Sequence, residues 1–231
     1  MELELHYKQV ANTIYDLKYK KVFLYADFNV INHIYEKDLK IPKPIELYPD
    51  STAIFLTLLF FKRYIRKRLI STDIQQEILS KSLSYNKKLF FFGDDIEVLK
   101  CLYKTLKKEN PKINICGIQN GYNYNSENVI TKINECNTDI LFIGLGTGRQ
   151  EKWIIENYEK INAKLIIAVG GWFKILAGIK KRAPLFIRKL NLEWLYRLLT
   201  EFPYVWKRYF WGLPKFFLRV TFGKIKLILI E

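Results

Sequence analysis

The chain has 231 residues, 49% of them hydrophobic and 26% charged, and this globular composition excludes a mostly disordered protein. The length is enough for one sizeable core. The net charge is +15, and residues 174–231 carry +10 of it, with 11 aromatic residues between positions 194 and 222. A basic, aromatic-rich C-terminal segment favours an anionic partner, either a lipid surface or a nucleic acid.

The sequence predicts neither a secretory signal nor a membrane-spanning segment. The first 20 residues are polar, with acidic side chains at Glu2 and Glu4. The longest apolar run, residues 55–61, is far shorter than the roughly 18 residues of a spanning helix. Three scattered cysteines have neither disulfide nor zinc-site spacing. We therefore expect a reduced, cytoplasmic location.

Short apolar runs alternate with helical patterns along the body of the chain. The runs are dense in Ile, Phe, Leu and Val, as in strands buried on both faces of a parallel sheet. They cover residues 22–26, 45–48, 89–92, 113–116, 140–143 and 165–169. Helical patterns such as residues 96–108 and 151–161 lie between them. This alternation predicts a doubly wound α/β domain with a mostly parallel sheet.

The segments that follow the predicted strands are the candidate site, because ligands bind such sheets at the carboxyl ends of the strands. These segments are residues 27–29, 50, 93–95, 117–122, 144–151 and 170–171. Asp50 precedes a helical run that starts at Ala53, so it is either a general base at a strand end or a helix N-cap. For Asp94 and Asp95 we favour capping of the helix that follows, and no metal site is predicted.

Residues 144–151 begin Gly-Leu-Gly-Thr-Gly, follow a predicted strand and open a helix. Glycines allow close approach of the backbone to a ligand, and the free N–H groups of a helix start attract phosphate. Arg149 adds positive charge, and Gln150 and Glu151 are candidates for contacts to a ribose or base. The alternative is a tight turn in which Glu151 stabilises the first helical turn. Arg149 occupies the place of the third dinucleotide-binding glycine, which disfavours a nicotinamide dehydrogenase.

Strand signals fade after residue 178. Short helices are predicted at residues 192–200 and 204–211, and a further segment follows Pro214. We therefore divide the chain into a core, residues 1–189, and a helical C-terminal appendage, residues 190–231.

Between residues 140 and 209 a series of uncommon strings occurs in a fixed order. They are Gly144-Leu145-Gly146, Gln150-Glu151-Lys152-Trp153, Val169-Gly170-Gly171 with Phe173, Ala177-Gly178, Arg182-Ala183-Pro184, Leu192-Glu193-Trp194-Leu195-Tyr196-Arg197-Leu198 and Arg208-Tyr209. In their order and spacing, these strings resemble the signature region of the WecG/TagA/CpsF glycosyltransferases, glycosyltransferase family 26. Weaker similarity continues upstream through Pro49-Asp50, Phe92-Gly93, Pro111 and Gly121-Tyr122.

This resemblance implies a Rossmann-like, inverting, metal-independent glycosyltransferase that needs no cofactor. Its donor would be a UDP-sugar of N-acetylmannosamine or a related hexose. Its acceptor would be a polyprenyl-diphosphate-linked sugar at the inner membrane face, in polysaccharide or teichoic acid synthesis. The alternative, a basic RNA-binding module with an aromatic tail, leaves the body of the chain without a role. The sequence leaves a homo-oligomer open.

The resemblance also implies site residues. The family's candidate base falls on Asp50. The UDP-sugar is expected at Asp27, Asn29, Gly93, Gly144, Gly146, Arg149, Gln150 and Glu151. The acceptor or a diphosphate is expected at Arg182, Arg197, Lys207 and Arg208. Two departures from the family pattern leave the donor sugar open: Ser51 replaces the glycine of Pro-Asp-Gly, and Tyr25-Ala26-Asp27 replaces Thr-x-Asn.

The appendage is predicted to bind an anionic membrane surface as a peripheral segment and to help close the active site. The predicted aromatic contacts are Trp194, Tyr204, Trp206, Tyr209, Phe210, Trp211, Phe216 and Phe217. The predicted cationic contacts are Arg197, Lys207, Arg208, Lys215, Arg219, Lys224 and Lys226.

Overall fold

The computed structural model describes residues 1–6, 19–61 and 70–230, and the strands of this part form one sheet of eight parallel strands. In chain order the strands are β1 (Glu2–His6), β2 (Lys21–Ala26), β3 (Ile45–Pro49), β4 (Leu89–Gly93), β5 (Ile115–Gln119), β6 (Ile140–Gly144), β7 (Leu165–Ala168) and β8 (Lys226–Ile230). Their spatial order is β5-β4-β6-β7-β2-β3-β1-β8. The predicted doubly wound α/β fold is confirmed.

Helices follow most strands of the sheet. They are α1 (Phe28–Glu36), α2 (Thr52–Phe60), α3 (Ser71–Ser84), α4 (Ile96–Glu109), α5 (Ser126–Glu135), α6 (Arg149–Asn157), α7 (Trp172–Leu176), α8 (Leu185–Lys189), α9 (Glu193–Thr200), α10 (Phe202–Lys207) and α11 (Leu213–Thr221). A 3₁₀ turn (Tyr158–Lys160) follows α6, and a π-helical turn (Arg208–Gly212) joins α10 to α11. Within the described ranges, no helix is long and apolar enough to cross a membrane.

Two apolar clusters cover the two faces of the sheet. Side chains of α1, α2, α5, α6 and α11 belong to one cluster, and those of α3, α4 and α7 belong to the other. The strand side chains alternate between the clusters, so that Phe90 and Phe92 face one and Phe91 faces the other. Burial on both faces explains why the central strands are continuous apolar runs.

The six predicted strands are present, and β5 lies two residues later than its predicted start. Strand β8, at one edge of the sheet, and its neighbour β1 were not predicted. They pair with each other in parallel, from Glu2 opposite Lys226 to His6 opposite Ile230. Because the two segments are more than 200 residues apart, no local pattern links them. The end of the predicted appendage is thus part of the sheet.

The C-terminal helices also pack on the body of the chain. Phe216 of α11 is fully buried beside Phe28 of α1, with ring centroids 6.5 Å apart. Arg219 donates hydrogen bonds to Asn32 and Glu36 of α1, both at 2.8 Å. The membrane contacts predicted for Phe216 and Arg219 are therefore wrong for these two side chains, because one lies in the core and the other is held by α1.

Candidate functional site

A polar cleft of about 930 Å³ opens at the carboxyl ends of β7, β2 and β3. The cleft is formed by strand ends, the start of α3, the loop after β6, and the segment from residue 180 to 208. The candidate residues that line it are Asp27, Asp50, Gln150, Arg182, Arg197 and Arg208. The parallel register explains why residues far apart in sequence meet here.

Asp27 and Asp50 are neighbours because β2 and β3 are paired in register. Ala26 lies opposite Pro49, and the Asp50 N–H donates to the Ala26 carbonyl at 3.0 Å. Each strand therefore ends with an aspartate at the same level of the sheet. Burial, and then the negative charge of Asp27, raises the pKa of Asp50 above its usual range.

Asp50 is not the cap of the helix that follows it. Ser51 is the N-cap of α2, and its hydroxyl accepts from the Ile54 N–H at 3.4 Å. The Asp50 carboxylate instead accepts two hydrogen bonds from Ser71 at the start of α3, from the hydroxyl at 2.9 Å and from the N–H at 3.3 Å. These contacts hold the carboxylate at the cleft. The sequence signal for Ser71 was its place in Ser-Thr-Asp, a common helix start, but nothing local linked it to Asp50.

Asp27 has two structural roles at the edge of the cleft. One carboxylate oxygen caps α1 by accepting from the N–H groups of Asn29 and Val30, at 2.7 and 2.9 Å. The other oxygen accepts from Arg208 at 2.5 Å, across 181 positions of sequence. The Arg208 guanidinium also lies 5.2 Å from the centre of the Phe28 ring. Asp27 therefore fixes Arg208 at the mouth of the cleft.

Three arginines of the cleft, all from the segment between residues 180 and 208, have buried N–H groups that form no hydrogen bond within the described structure. Arg208 Nε and Arg197 Nε are buried and have no hydrogen-bond partner among the described residues, and the same is true of Nε and Nη2 of Arg182. Arg182 is anchored by Nη1 to Asp73 at 2.7 Å, and Arg197 lies 3.8 Å from Glu201. Buried N–H groups normally have a partner. Their convergence on one cleft favours an anionic ligand, because guanidinium groups bind phosphate oxygens strongly.

The first turn of α6 reaches the cleft through Gln150. The Gln150 side chain accepts from the Gly170 N–H at 3.1 Å and donates to Glu151 at 2.8 Å. Glu151 is fully buried, and its other oxygen accepts from the Gly148 N–H. Both carboxylate oxygens are thus occupied within the protein. The structure supports the alternative interpretation, in which Glu151 stabilises the first turn of α6.

The remaining candidate residues do not line the cleft. Arg149 is turned outward, donates to the Gly121 carbonyl at 2.6 Å and lies over the Tyr122 ring. Lys207 is exposed and lies 5.6 Å from the Trp206 ring centre. Strands β4 and β6 end at Gly93 and Gly144. Asn29 lies in the first turn of α1, and Gly146 lies in the loop between β6 and α6. A Cβ at Gly146 would meet open space, but the backbone φ of +84° favours glycine there.

A sequence model of the glycosyl transferase WecG/TagA/CpsF family matches residues 46–228. A relative from Bacillus subtilis (strain 168), named N-acetylglucosaminyldiphosphoundecaprenol N-acetyl-beta-D-mannosaminyltransferase, is 33% identical over 175 residues. These residues are 75% of this chain and 67% of that protein. Proteins of the same name from Staphylococcus aureus strains MRSA252 and N315 are each 30% identical over 159 residues, 69% of this chain and 61% of theirs.

The chain thus spans between 61% and 67% of the length of these relatives. The matched region, residues 46–228, contains Asp50, Gln150 and the three arginines of the cleft, whereas Asp27 precedes it. It covers well over half of the chain and carries the ends of β3 and β7 together with the C-terminal helices of the cleft. On this match, the chain belongs to the glycosyl transferase WecG/TagA/CpsF family.

Proposed function

We propose that the chain is an inverting glycosyltransferase that moves N-acetylmannosamine or a related hexose from a UDP-sugar to a polyprenyl-diphosphate-linked sugar. The observation that carries this proposal is that a partly buried carboxylate, Asp50, shares one cleft with three arginines, each of which keeps a buried N–H without a hydrogen-bond partner in the described structure. A base and an anion-binding group at one cleft are what an inverting transfer requires. The family membership and the names of the relatives agree with this chemistry.

In the proposed reaction, Asp50 removes the proton from the acceptor hydroxyl. The acceptor oxygen bonds to the anomeric carbon while the bond from that carbon to the UDP oxygen breaks on the opposite face. The leaving diphosphate takes the electron pair, and its growing negative charge is stabilised by arginine N–H groups. Burial raises the pKa of Asp50, which makes it a stronger base than an exposed aspartate.

We also propose that the protein attaches to the membrane surface through the C-terminal helices. Aromatic side chains there remain well exposed, namely Trp194, Phe202, Tyr204, Phe210, Trp211 and Phe222. Exposed lysines of the same segment include Lys207, Lys215 and Lys224. Aromatic bodies and lysines together suit the boundary of an anionic bilayer. Arg197 and Arg208 face the cleft, so they are assigned to the substrate and not to the bilayer.

The direct test is a binding and transfer assay with the full chain. A thermal-shift panel of UDP, UMP and UDP-sugars should show stabilisation by UDP compounds, about 2.7 kcal/mol at a ligand concentration of 100 Kd. The UDP-sugar that binds should be consumed when a polyprenyl-diphosphate-linked N-acetylglucosamine is added, with inversion at the anomeric carbon seen by NMR. Binding of RNA without any response to UDP would reject the proposal.

A further inference from the structure

A second cleft lies beside the polar cleft, and most of its exposed lining surface is apolar. Its walls come from α1, α2, α9 and α11 and from the π-helical turn before α11. We call it the apolar groove, defined by Phe28, Leu56, Trp194, Tyr209, Leu213 and Phe217. The mechanism proposed above does not use these side chains.

The apolar groove and the polar cleft share a boundary. The residues that line both of them are Asp50, Ser71, Thr72, Glu193, Arg197 and Arg208. A ligand that lies in the groove can therefore present its polar end to two arginines and to the proposed base. The two arginines and the Asp50 carboxylate thus lie together where the apolar groove meets the polar cleft. Glu193 lies 3.8 Å from Arg182 of the polar cleft.

Helix α2 extends the apolar surface beyond the groove. Leu56 and Phe60 are four residues apart and share one face of the helix, and they are 53% and 81% exposed. A helix that is apolar on all sides is normally buried in protein or lipid. The sequence of α2, Thr-Ala-Ile-Phe-Leu-Thr-Leu-Leu-Phe, is of this kind, although it is too short to span a bilayer.

We propose that the apolar groove binds the hydrocarbon chain of the lipid-linked acceptor and so directs its diphosphate to Arg197 and Arg208. This inference rests on the proposed function. Such an acceptor joins an apolar chain to a diphosphate and a sugar, and the apolar groove opens directly onto two arginines and the proposed base. The buried N–H groups of Arg197 and Arg208 that lack a hydrogen-bond partner in the described structure favour this occupant over an uncharged lipid.

The first test locates the bound hydrocarbon chain of the acceptor directly. The full-length protein is irradiated with a photoreactive farnesyl diphosphate analogue whose crosslinking group lies on the hydrocarbon chain, and labelled peptides are identified by mass spectrometry. The expected labels are on α2, α9 and α11, and unlabelled polyprenyl diphosphate should compete for them. Label confined to other surfaces, or label that no diphosphate competes for, would overturn the groove assignment.

The second test compares two leucines of nearly equal exposure. Leu56 lines the groove and is 53% exposed, whereas Leu218 of α11 lies outside it and is 56% exposed. With a long-chain acceptor, Leu56→Gln should raise KM on the order of 10-fold, because the bound chain loses apolar contact. With a short, water-soluble acceptor the KM should stay unchanged, as should UDP affinity by calorimetry. Leu218→Gln should match the unaltered protein in each assay.

The outcomes separate this inference from the function on which it rests. Equal KM increases in the two variants would mean general attachment to lipid and would reject the groove, as would an unchanged KM in Leu56→Gln. If the protein is labelled in the groove but transfers no sugar to any acceptor, the proposed function fails while the groove stands. If transfer depends on the length of the acceptor's hydrocarbon chain but the groove is not labelled, the groove assignment fails while the proposed function stands.

Discussion

Asp50 differs from the other carboxylates of the polar cleft in its surroundings. Asp27 is paired with Arg208, and Glu201 is paired with Lys180 at 2.7 Å. Glu193 lies 3.8 Å from Arg182. Within the described part of the chain, the Asp50 carboxylate forms no ion pair and instead accepts hydrogen bonds from Ser71. A partly buried carboxylate without a cation is harder to ionise than an exposed one, so its place at the cleft favours a role in proton transfer.

We expect Asp50→Asn to separate turnover from folding. The amide keeps the shape of the side chain but cannot accept a proton, so turnover should fall on the order of 10² or more while UDP affinity is retained. Stability at neutral pH should not fall, because the folded state no longer holds a buried charge. Turnover kinetics, calorimetry and thermal melting check the three points, and near-normal turnover would reject Asp50 as the base.

The pH dependence of activity should report the interaction of Asp50 with Asp27. The active carboxylate form of Asp50 is present above its raised pKa and is lost as pH falls through it. Asp27→Asn removes a neighbouring negative charge and frees Arg208, and both changes lower the pKa of Asp50. The acid limb of the kcat/KM profile should therefore move to lower pH.

The matched control is Asp95→Asn. Asp95 caps α4 as Asp27 caps α1, and asparagine is an equally good cap, but Asp95 lies outside the polar cleft. Its substitution should leave the acid limb in place. If both variants shifted the limb equally, net charge and not the contact with Asp50 would be the cause.

At the scale of single elements, the start of α2 contains backbone strain. Ser51 has φ +82° and ψ +150°, a region populated almost only by glycine, and the related family pattern has glycine there. The strain lies directly beside Asp50, where the chain leaves β3 and begins a helix. The conformation positions both the base and the first turn of the helix that lines the apolar groove.

Ser51→Gly should therefore stabilise the fold. The relief of strain is partly offset by the weak N-cap bond and by the greater freedom of glycine in the unfolded chain. We expect a net gain of about 1 kcal/mol, seen as a rise in Tm of about 2–4 °C. Asn123→Gly is the control, because asparagine tolerates its φ of +50°. A Tm of Ser51→Gly at or below that of the control would contradict the strain argument.

For the whole molecule, the boundary drawn at residue 189 does not correspond to a separable unit in the described structure. The C-terminal segment supplies β8 to the sheet and the buried Phe216 to the core, and its arginines complete the polar cleft. Truncation before residue 190 would expose the edge of β1 and the apolar face of α1. Point substitutions are therefore the better test of what this segment does.

Phe216→Ala tests whether the C-terminal helices are integral to the core. Loss of a fully buried phenylalanine should cost about 3–5 kcal/mol in the free energy of unfolding. Phe210→Ala, at a side chain that is 60% exposed, should change it by no more than about 0.5 kcal/mol. Urea unfolding followed by fluorescence measures both, and similar small effects would support an independent appendage.

Membrane attachment should depend on both charge and aromatic exposure. Binding to anionic vesicles should weaken as salt is raised, since each lysine near the surface contributes about 1 kcal/mol. Trp211→Ser should reduce binding several-fold, because Trp211 is 65% exposed. Tyr103→Ser, on α4 in the body of the chain, is the control. Vesicle sedimentation that is insensitive to both salt and Trp211→Ser would reject the proposed surface.

The local sequence was enough to predict the central strands and to place Asp50 at a strand end. Strands buried on both faces are continuous apolar runs, and a parallel sheet puts their carboxyl ends at one edge. These properties depend on neighbouring residues only, so they can be recognised without a structure. The resemblance added the C-terminal arginines, which composition showed only as a basic segment.

Tertiary structure alone decided which side chains meet. Ser71 reaches Asp50 across 21 positions, and Arg208 reaches Asp27 across 181. Strand β8 joins the sheet by pairing with β1, 224 positions earlier in the sequence. The tertiary structure also decided that Phe216 faces the core, whereas its neighbour Phe217 lines the apolar groove. Contacts between distant segments leave no periodicity in the sequence, because each partner is specified by the packing of the elements that carry it.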